Sequence, residues 1–355
     1  MPPAPPPLTQ LPAWVSALAI GQWGQIPNTA LSSVDPSPMP AGNFSPTNAA
    51  AKVGAWTSFV VDTRTSKVYS VANGGHNDYS GNEVDVLSLE LDQPAWTQRL
   101  APTPSGSLSN CQSYYADNRP ASRHSYYGVT LDIVNDRIML FGGAHWCVGG
   151  GFHSAVSSYN IGSNTYNGPG THPSMPGPAD VSAYSIDPST GDVYGAVFSV
   201  LRRWNRATNT WTTLNPSGTS PNGVETMSAM DTTRRRILFV GGNSGDNHVY
   251  TLQGNTVMAI TLTGPNAASI ANAGKGSLVY VEAFDRYLVR LGGAGATVYM
   301  IHPTTFEVTT LATTGGTSIP GTQNGPYNKF LYVPRLGGAV YVPSYSQNAW
   351  FLRLH

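Results

Sequence analysis

The sequence predicts an all-β fold, a β-propeller built from four-stranded blades, and three observations carry that reading. One pattern recurs along the chain: a short apolar strand, an Asp-containing turn, a second apolar strand ending in Gly-Gly, a loop, a third strand, and often a Trp ahead of a fourth. The Gly-Gly pairs ending at Gly75, Gly143, Gly242 and Gly293 are separated by about 50 to 70 residues where they fall in neighbouring copies, a spacing that suits one propeller blade. Gly (38) and Pro (28) are abundant while aromatics hold at 10%, so the polar bulk is turn chemistry rather than disorder.

The clearest copies are "TSFVVDTRTSKVYSVANGG", "YGVTLDIVNDRIMLFGG", "SAMDTTRRRILFVGG" and "VYVEAFDRYLVRLGG". A weaker one, "AYSIDPSTGDVYGAVFS", runs on into "LRRWNRATNTWTTL". The last, "KFLYVPRLGGAVYVPSYSQNAWFLRLH", stops after three strands. Its missing fourth strand is expected from the N-terminal stretch around "GQWGQIPNTAL", which would close the ring and leave no open edge. The expected organisation is a proline-rich lead over 1–20 and one propeller of six blades over 21–355. A seventh, degenerate blade within 1–54 is the alternative.

Charge excludes some functions. Charged residues make up 11% of the chain, Lys and Arg balance Asp and Glu at 19 each, and only four residues are Lys. A nucleic-acid binder would show a basic stripe. No apolar run approaches the roughly 20 residues of a membrane helix. The opening "MPPAPPPLTQLPAW" has neither a basic n-region nor an apolar h-region, so no signal peptide is visible. The expected location is extracellular or on a virion, reached after removal of a signal or by another route.

Blade geometry sorts the polar residues by face. The loop after a second strand and the segment leading into the next first strand open on the same side of the disc. After Gly-Gly come His76, Asn77, Asp78 and Tyr79, then His145, Trp146, Cys147 and His153, then Asn243, Asp246 and His248, and finally Tyr345 and Gln347. Leading into first strands are Arg123 and His124 in "SRHSYYG", Glu225, Lys275 and Tyr327. Five of the eight histidines therefore share one predicted face. The opposite face collects "DTRTSK", "DIVNDR", "DPSTGD" and "DTTRRR", which read as solvated turns. That asymmetry points to a ligand site at the histidine face.

The inventory suits β-elimination better than hydrolysis. A glycoside hydrolase needs two carboxylates flanking the bond; of Asp78, Glu83, Glu225 and Asp246, Glu83 is expected to begin a strand in "GNEVDV" and the others lie in different blades. Elimination from a uronic-acid glycan needs donors to quiet the substrate carboxylate, a base for the C5 proton and an acid for the departing O4. Arg, Asn, His and Tyr supply these roles. His76, Asn77, Tyr79, Arg123, Tyr126, Trp146 and His248 are the expected substrate-binding residues.

The repeats resemble the kelch and galactose-oxidase-like class from about Trp56 to His355. The combination of "GGHNDYSGNE", "SRHSYYG" and "FGGAHW" on such blades resembles the propeller polysaccharide lyases, notably the ulvan lyases. The resemblance implies that His124 and His145 match that family's histidine pair, Tyr184 its acid/base tyrosine and Arg202 its carboxylate neutraliser. Tyr126, Tyr127 and Tyr194 compete for the tyrosine role, and Arg203 rivals Arg202 because strand alternation sends only one inward. The chain departs from those enzymes in having six apparent blades rather than the usual seven, and no visible signal peptide.

Cys111 and Cys147 lie in two loops of the same predicted face, and a disulfide pinning both is the first reading. The alternative is a metal site from His145, Cys147 and His153. No cofactor is required by the chemistry, with zinc or calcium as the alternative. The expected partner is a polysaccharide, with no nucleic acid and no membrane. A third class needs no catalysis: an aromatic-rich propeller could serve as a carbohydrate-binding head, such as a phage tail or surface receptor-binding protein.

Overall fold

The computed structural model describes residues 6–40, 49–147, 150–177, 183–243 and 245–355. It contains six antiparallel sheets of four strands. Blade 1 is Val60–Asp62, Lys67–Val71, Val84–Ser88 and Trp96–Leu100, and blade 2 is Val129–Asp132, Arg137–Phe141, Val156–Asn160 and Thr165–Tyr166. Blade 3 comprises Ala183–Ile186, Val193–Val197, Val200–Asn205 and Thr210–Thr213; blade 4 comprises Thr226–Asp231, Arg236–Gly241, His248–Thr251 and Thr256–Ala259. Blade 5 is Ser277–Val281, Arg286–Arg290, Tyr299–Ile301 and Val308–Thr310.

Blade 6 has Phe330–Val333, Gly338–Tyr341 and Trp350–Arg353 from the C-terminus and Trp23–Gln25 from the N-terminus as its outer strand. Trp23 pairs with Leu352 and Gln25 with Trp350. The expected closure is therefore found, and the N-terminal stretch makes no seventh blade among the described residues. The innermost strands neighbour one another around the whole ring, the last, Phe330–Val333, meeting the first, Val60–Asp62. Second strands are buried on both faces, which explains apolar runs such as "RILFVG" and "RIMLF". Their side chains fill the wedges between blades, with Met139, Phe141, Leu238 and Tyr287 joined by Trp204 of a third strand in one continuous core. No helix among the described residues is long and apolar enough to cross a membrane.

The Asp-turn face differs from the sequence expectation. Its turns are tied blade to blade: Arg64 reaches Asp136 at 2.5 Å, Arg235 reaches Asp187 at 2.6 Å, and Arg234 reaches Asp285 at 2.5 Å. Turns that read as merely solvated thus carry ion pairs, some within a blade, such as Asp132–Arg137, and three between neighbouring blades. Strand patterning says nothing about partners on the next blade, so sequence alone could not show them.

Candidate functional site

The opposite face carries a cleft of about 620 Å³ between blades 1 and 2, lined by Trp56, His76, Asp78, His124, Tyr126 and Phe152 with Gly150 and Gly151. It is built on a short ladder that lies above the blades, in which Arg123–His124 pairs with Ala144–His145. The loop after Gly75 docks against it: the His76 amide donates to the His145 carbonyl, and the Cys147 amide to the His76 carbonyl. Gly75 is required here, because at φ +71° a Cβ would stand 2.3 Å from the backbone of Arg123 and His124. Gly150 is required for a second close approach, since its Cβ would meet His76 Nε2 at 2.3 Å.

His124 is the centre of the cleft. Asp78 Oδ2 lies 2.7 Å from its Nε2, the Trp56 ring 5.0 Å away on a tilt, and the His76 ring stacks at 5.4 Å with an interplanar angle of 9°. Tyr126 meets it edge-on at 6.0 Å, and Phe152, 51% exposed, flanks Tyr126. With Asp78 Oδ2 accepting from Nε2–H, the neutral ring has its free lone pair on Nδ1. Burial holds His124 below the ordinary histidine range; Asp78 pulls it part of the way back, and His76 adds to the lowering. His124 is thus neutral at physiological pH. Both His76 (φ 47°) and Tyr126 (φ 47°) have left-handed backbones, which cost about 1–3 kcal/mol each and are concentrated at functional sites.

The expected histidine pair is not side by side. Cross-strand partners share a face and successive residues alternate, so His145, opposite Arg123, projects on the Arg123 side and His124 on the other. His145 packs on His153 at 4.6 Å and lies near the buried Arg123. Arg123 is fully buried and donates to the Ala121 and Gly142 carbonyls and Ser157, so it braces the loops rather than facing the cleft. Tyr79 is buried with its hydroxyl donating to Glu83, and Trp146 is buried against Tyr115. None of these three lines the cleft.

The remaining expectations also separate. Tyr184 stacks on Phe141 and donates to Met175 Sδ inside the blade 2–3 wedge, with Arg202 near it on blade 3; neither lines the cleft. Of the competing residues, Tyr194 and Tyr127 are buried, Arg203 is paired with Asp192, and only Tyr126 reaches His124. Asn77 is exposed at the rim. His248 begins a strand of blade 4, outside the cleft lining. Among the carboxylates, Glu225 is tied to Lys275 and Tyr327, Asp246 accepts from Gly223 and Thr226, and Glu83 faces Lys52, which among the described residues leaves Asp78 alone on the cleft wall. Trp56 and Phe152 are the contributors that sequence reasoning did not put at the site; Asp78 was placed on this face but not beside His124. Trp56 lies just ahead of a first strand, so the same face rule could have found it.

Cys111 and Cys147 form a disulfide with a Cα–Cα distance of 4.3 Å. Cys147 sulfur is thereby not a metal ligand beside His145 and His153, and among the described residues no cluster of three His, Cys, Asp or Glu has the geometry to hold a metal ion. The bond fixes the loop whose backbone pairs with His76. Reduction, or Cys111→Ser, should cost about 3–4 kcal/mol for a link spanning 36 residues, read as a lower urea midpoint, and should weaken ligand binding as the His76 loop loosens. An unchanged midpoint would contradict this.

His153 sets a second expectation. Both its ring nitrogens are buried without a hydrogen-bond partner, and burial, with Arg123 and His145 nearby, holds it well below the ordinary histidine range. The unfolded chain then binds more protons than the folded one below about pH 6.5, so stability should fall as pH drops from there. A His153→Phe variant should show a shallower loss of Tm between pH 7 and about 5; equal slopes would assign the acid sensitivity elsewhere.

With the geometry in view, comparison with known proteins adds no label: no family model matches the chain, and no curated protein matches it. The fold and the site define a six-bladed β-propeller with a His–Asp pair in an aromatic-walled cleft on one face.

Proposed function

We propose that the protein is a polysaccharide lyase that cleaves a uronic-acid-containing glycan by β-elimination. The observation that carries this reading is the neutral His124, oriented by Asp78 and enclosed by Trp56, His76 and Tyr126 in an open cleft. His124 Nδ1 takes the C5 proton. The electron pair left at C5 forms the C4–C5 double bond as the C4–O4 bond breaks, and O4 leaves as an alcohol with a proton from Tyr126 or from the imidazolium just formed. The His76 ring, beside His124, and the Asn77 amide at the rim are placed to meet the substrate carboxylate. Aromatic rings stack on the apolar faces of the sugars.

Hydrolysis is disfavoured because, among the described residues, Asp78 is the only carboxylate lining the cleft, whereas glycosidases use two. One observation favours a non-catalytic glycan-binding protein instead: among the described residues, the cleft lining includes no Arg or Lys to neutralise a carboxylate. Incubation with uronic-acid polysaccharides and bacterial capsules, followed by absorbance near ~235 nm, separates these readings, because only elimination creates the conjugated unsaturated uronate. A rise supports the lyase. Reducing ends without absorbance would indicate a hydrolase, and binding with neither would indicate a recognition protein.

A further inference from the structure

We propose that the His124 cleft is one end of a longer groove whose second arm, running past Gly54 and Gln323 to Tyr345, holds uncharged sugars of the same glycan; this rests on the polysaccharide reading above. The cleft shares Trp56 and Asp78 with an adjoining cavity of about 300 Å³. That cavity shares Ala50, Gly54 and Gln323 with a third, of about 350 Å³, which ends at Tyr345 and Gln347. Three contiguous hollows on one face suit a chain of several sugars rather than a single one.

The floor of this arm is the helical turn Ala51–Gly54, whose residues at the surface are small. Its one charged residue, Lys52, points down, 1% exposed, and its ammonium meets Asp85 at 2.9 Å and Glu83 at 3.1 Å beneath the floor. Beyond Asp78, the described lining offers amides and hydroxyls from Gln323, Asn324, Ser344, Ser346 and Gln347 and no charged side chain. Amides donate to and accept from sugar hydroxyls, but they give an ionised sugar no counter-charge. Asp78 stands at the junction with the cleft, and Asp35, to which the Tyr345 hydroxyl donates, is paired with Lys52 at 3.7 Å beneath the floor, so neither offers a sugar carboxylate a counter-charge. Asp78 borders both hollows and so does not sort the sugars; what differs is that the cleft presents the His76 and His124 rings, whereas the described arm presents only neutral amides and hydroxyls. The charged sugar therefore belongs at the His76–His124 end and the neutral ones in the arm.

The test uses the full chain carrying His124→Ala, so that bound glycans are not consumed, in calorimetric titrations with two oligosaccharide series running from disaccharide to hexasaccharide. One series carries a single uronic acid at its end and otherwise neutral sugars; the other is uronic throughout. For the first series, affinity should rise by about tenfold or more with length, and for the second by clearly less. Gln323 is exposed, so substitutions there leave the fold intact. Gln323→Glu and Gln323→Lys should each weaken long-chain binding severalfold and leave the disaccharide unchanged. Length-independent binding of a disaccharide that does bind, or tighter long-chain binding in Gln323→Lys, would overturn the neutral arm alone. Length-dependent binding by a wild type that never raises absorbance near ~235 nm would leave the arm standing and remove the lyase chemistry.

Discussion

His124→Ala should abolish elimination, lowering kcat/KM by at least about 10²–10⁴-fold, the usual contribution of a positioned general base, while far-UV circular dichroism stays that of the wild type. The fold should survive because the side chain's one hydrogen bond to another side chain goes to Asp78, which is itself partly exposed at the cleft. Retained turnover would remove His124 from the mechanism. Asp78→Asn gives the sharper test of the dyad. Asp78 favours the protonated ring, so its loss should move the acid limb of the rate profile to lower pH, from a wild-type position already below 6.5, while kcat falls as the ring loses its orientation. A residue that merely supported the loop would not move that limb. An unmoved limb would leave Asp78 a structural role only.

The ring itself was legible in the sequence because it rests on periodic, local signals: apolar strands, Asp turns and Gly-Gly pairs that each blade repeats. Even the closing strand followed from counting, since a last copy with three strands needs a fourth from the N-terminus. The site was legible by face and not by side chain. The segments "GGHNDYSGNE" and "SRHSYYG" do meet, but which of their residues face the cleft depends on the small ladder between Arg123–His124 and Ala144–His145, which is too short to announce itself. That ladder turns His145 away from His124 and buries Arg123. In the first loop, neighbouring residues also divide: His76 and Asp78 line the cleft, whereas Tyr79 turns inward to Glu83. Tyr184 and Arg202 were placed by resemblance rather than by any loop on this face. Their blade lies away from the cleft lining, where Tyr184 serves as core.

Lys52→Met should destabilise the protein by about 3–5 kcal/mol, a large loss that arises entirely beneath the groove. Among the described residues, Lys52 is the only cation paired with three carboxylates: Asp85 at 2.9 Å, Glu83 at 3.1 Å and Asp35 at 3.7 Å. Each of those carboxylates keeps one oxygen buried without a hydrogen-bond partner. Removing the ammonium leaves the charges uncompensated in a poorly hydrated site, and the Ala51–Gly54 floor loses its anchor. A triple variant, Lys52→Met with Glu83→Gln and Asp85→Asn, removes the charges together and should recover most of the loss, measured as the urea midpoint. Acidity provides an independent check. Burial pushes Asp85 up to about 7, against the pull of Lys52 and with a contribution from Glu83. An acid raised in the folded state binds more protons there than in the unfolded chain, so its contribution weakens as pH rises from 3.8 and levels off above about 7. Without Lys52 that interval should extend upward. Lowering the pH from about 9 to 7 should therefore stabilise Lys52→Met more than the wild type, in a range that still lies above the titration of the buried histidines. Parallel pH curves for the two proteins would show that Lys52 does not hold the cluster's charge.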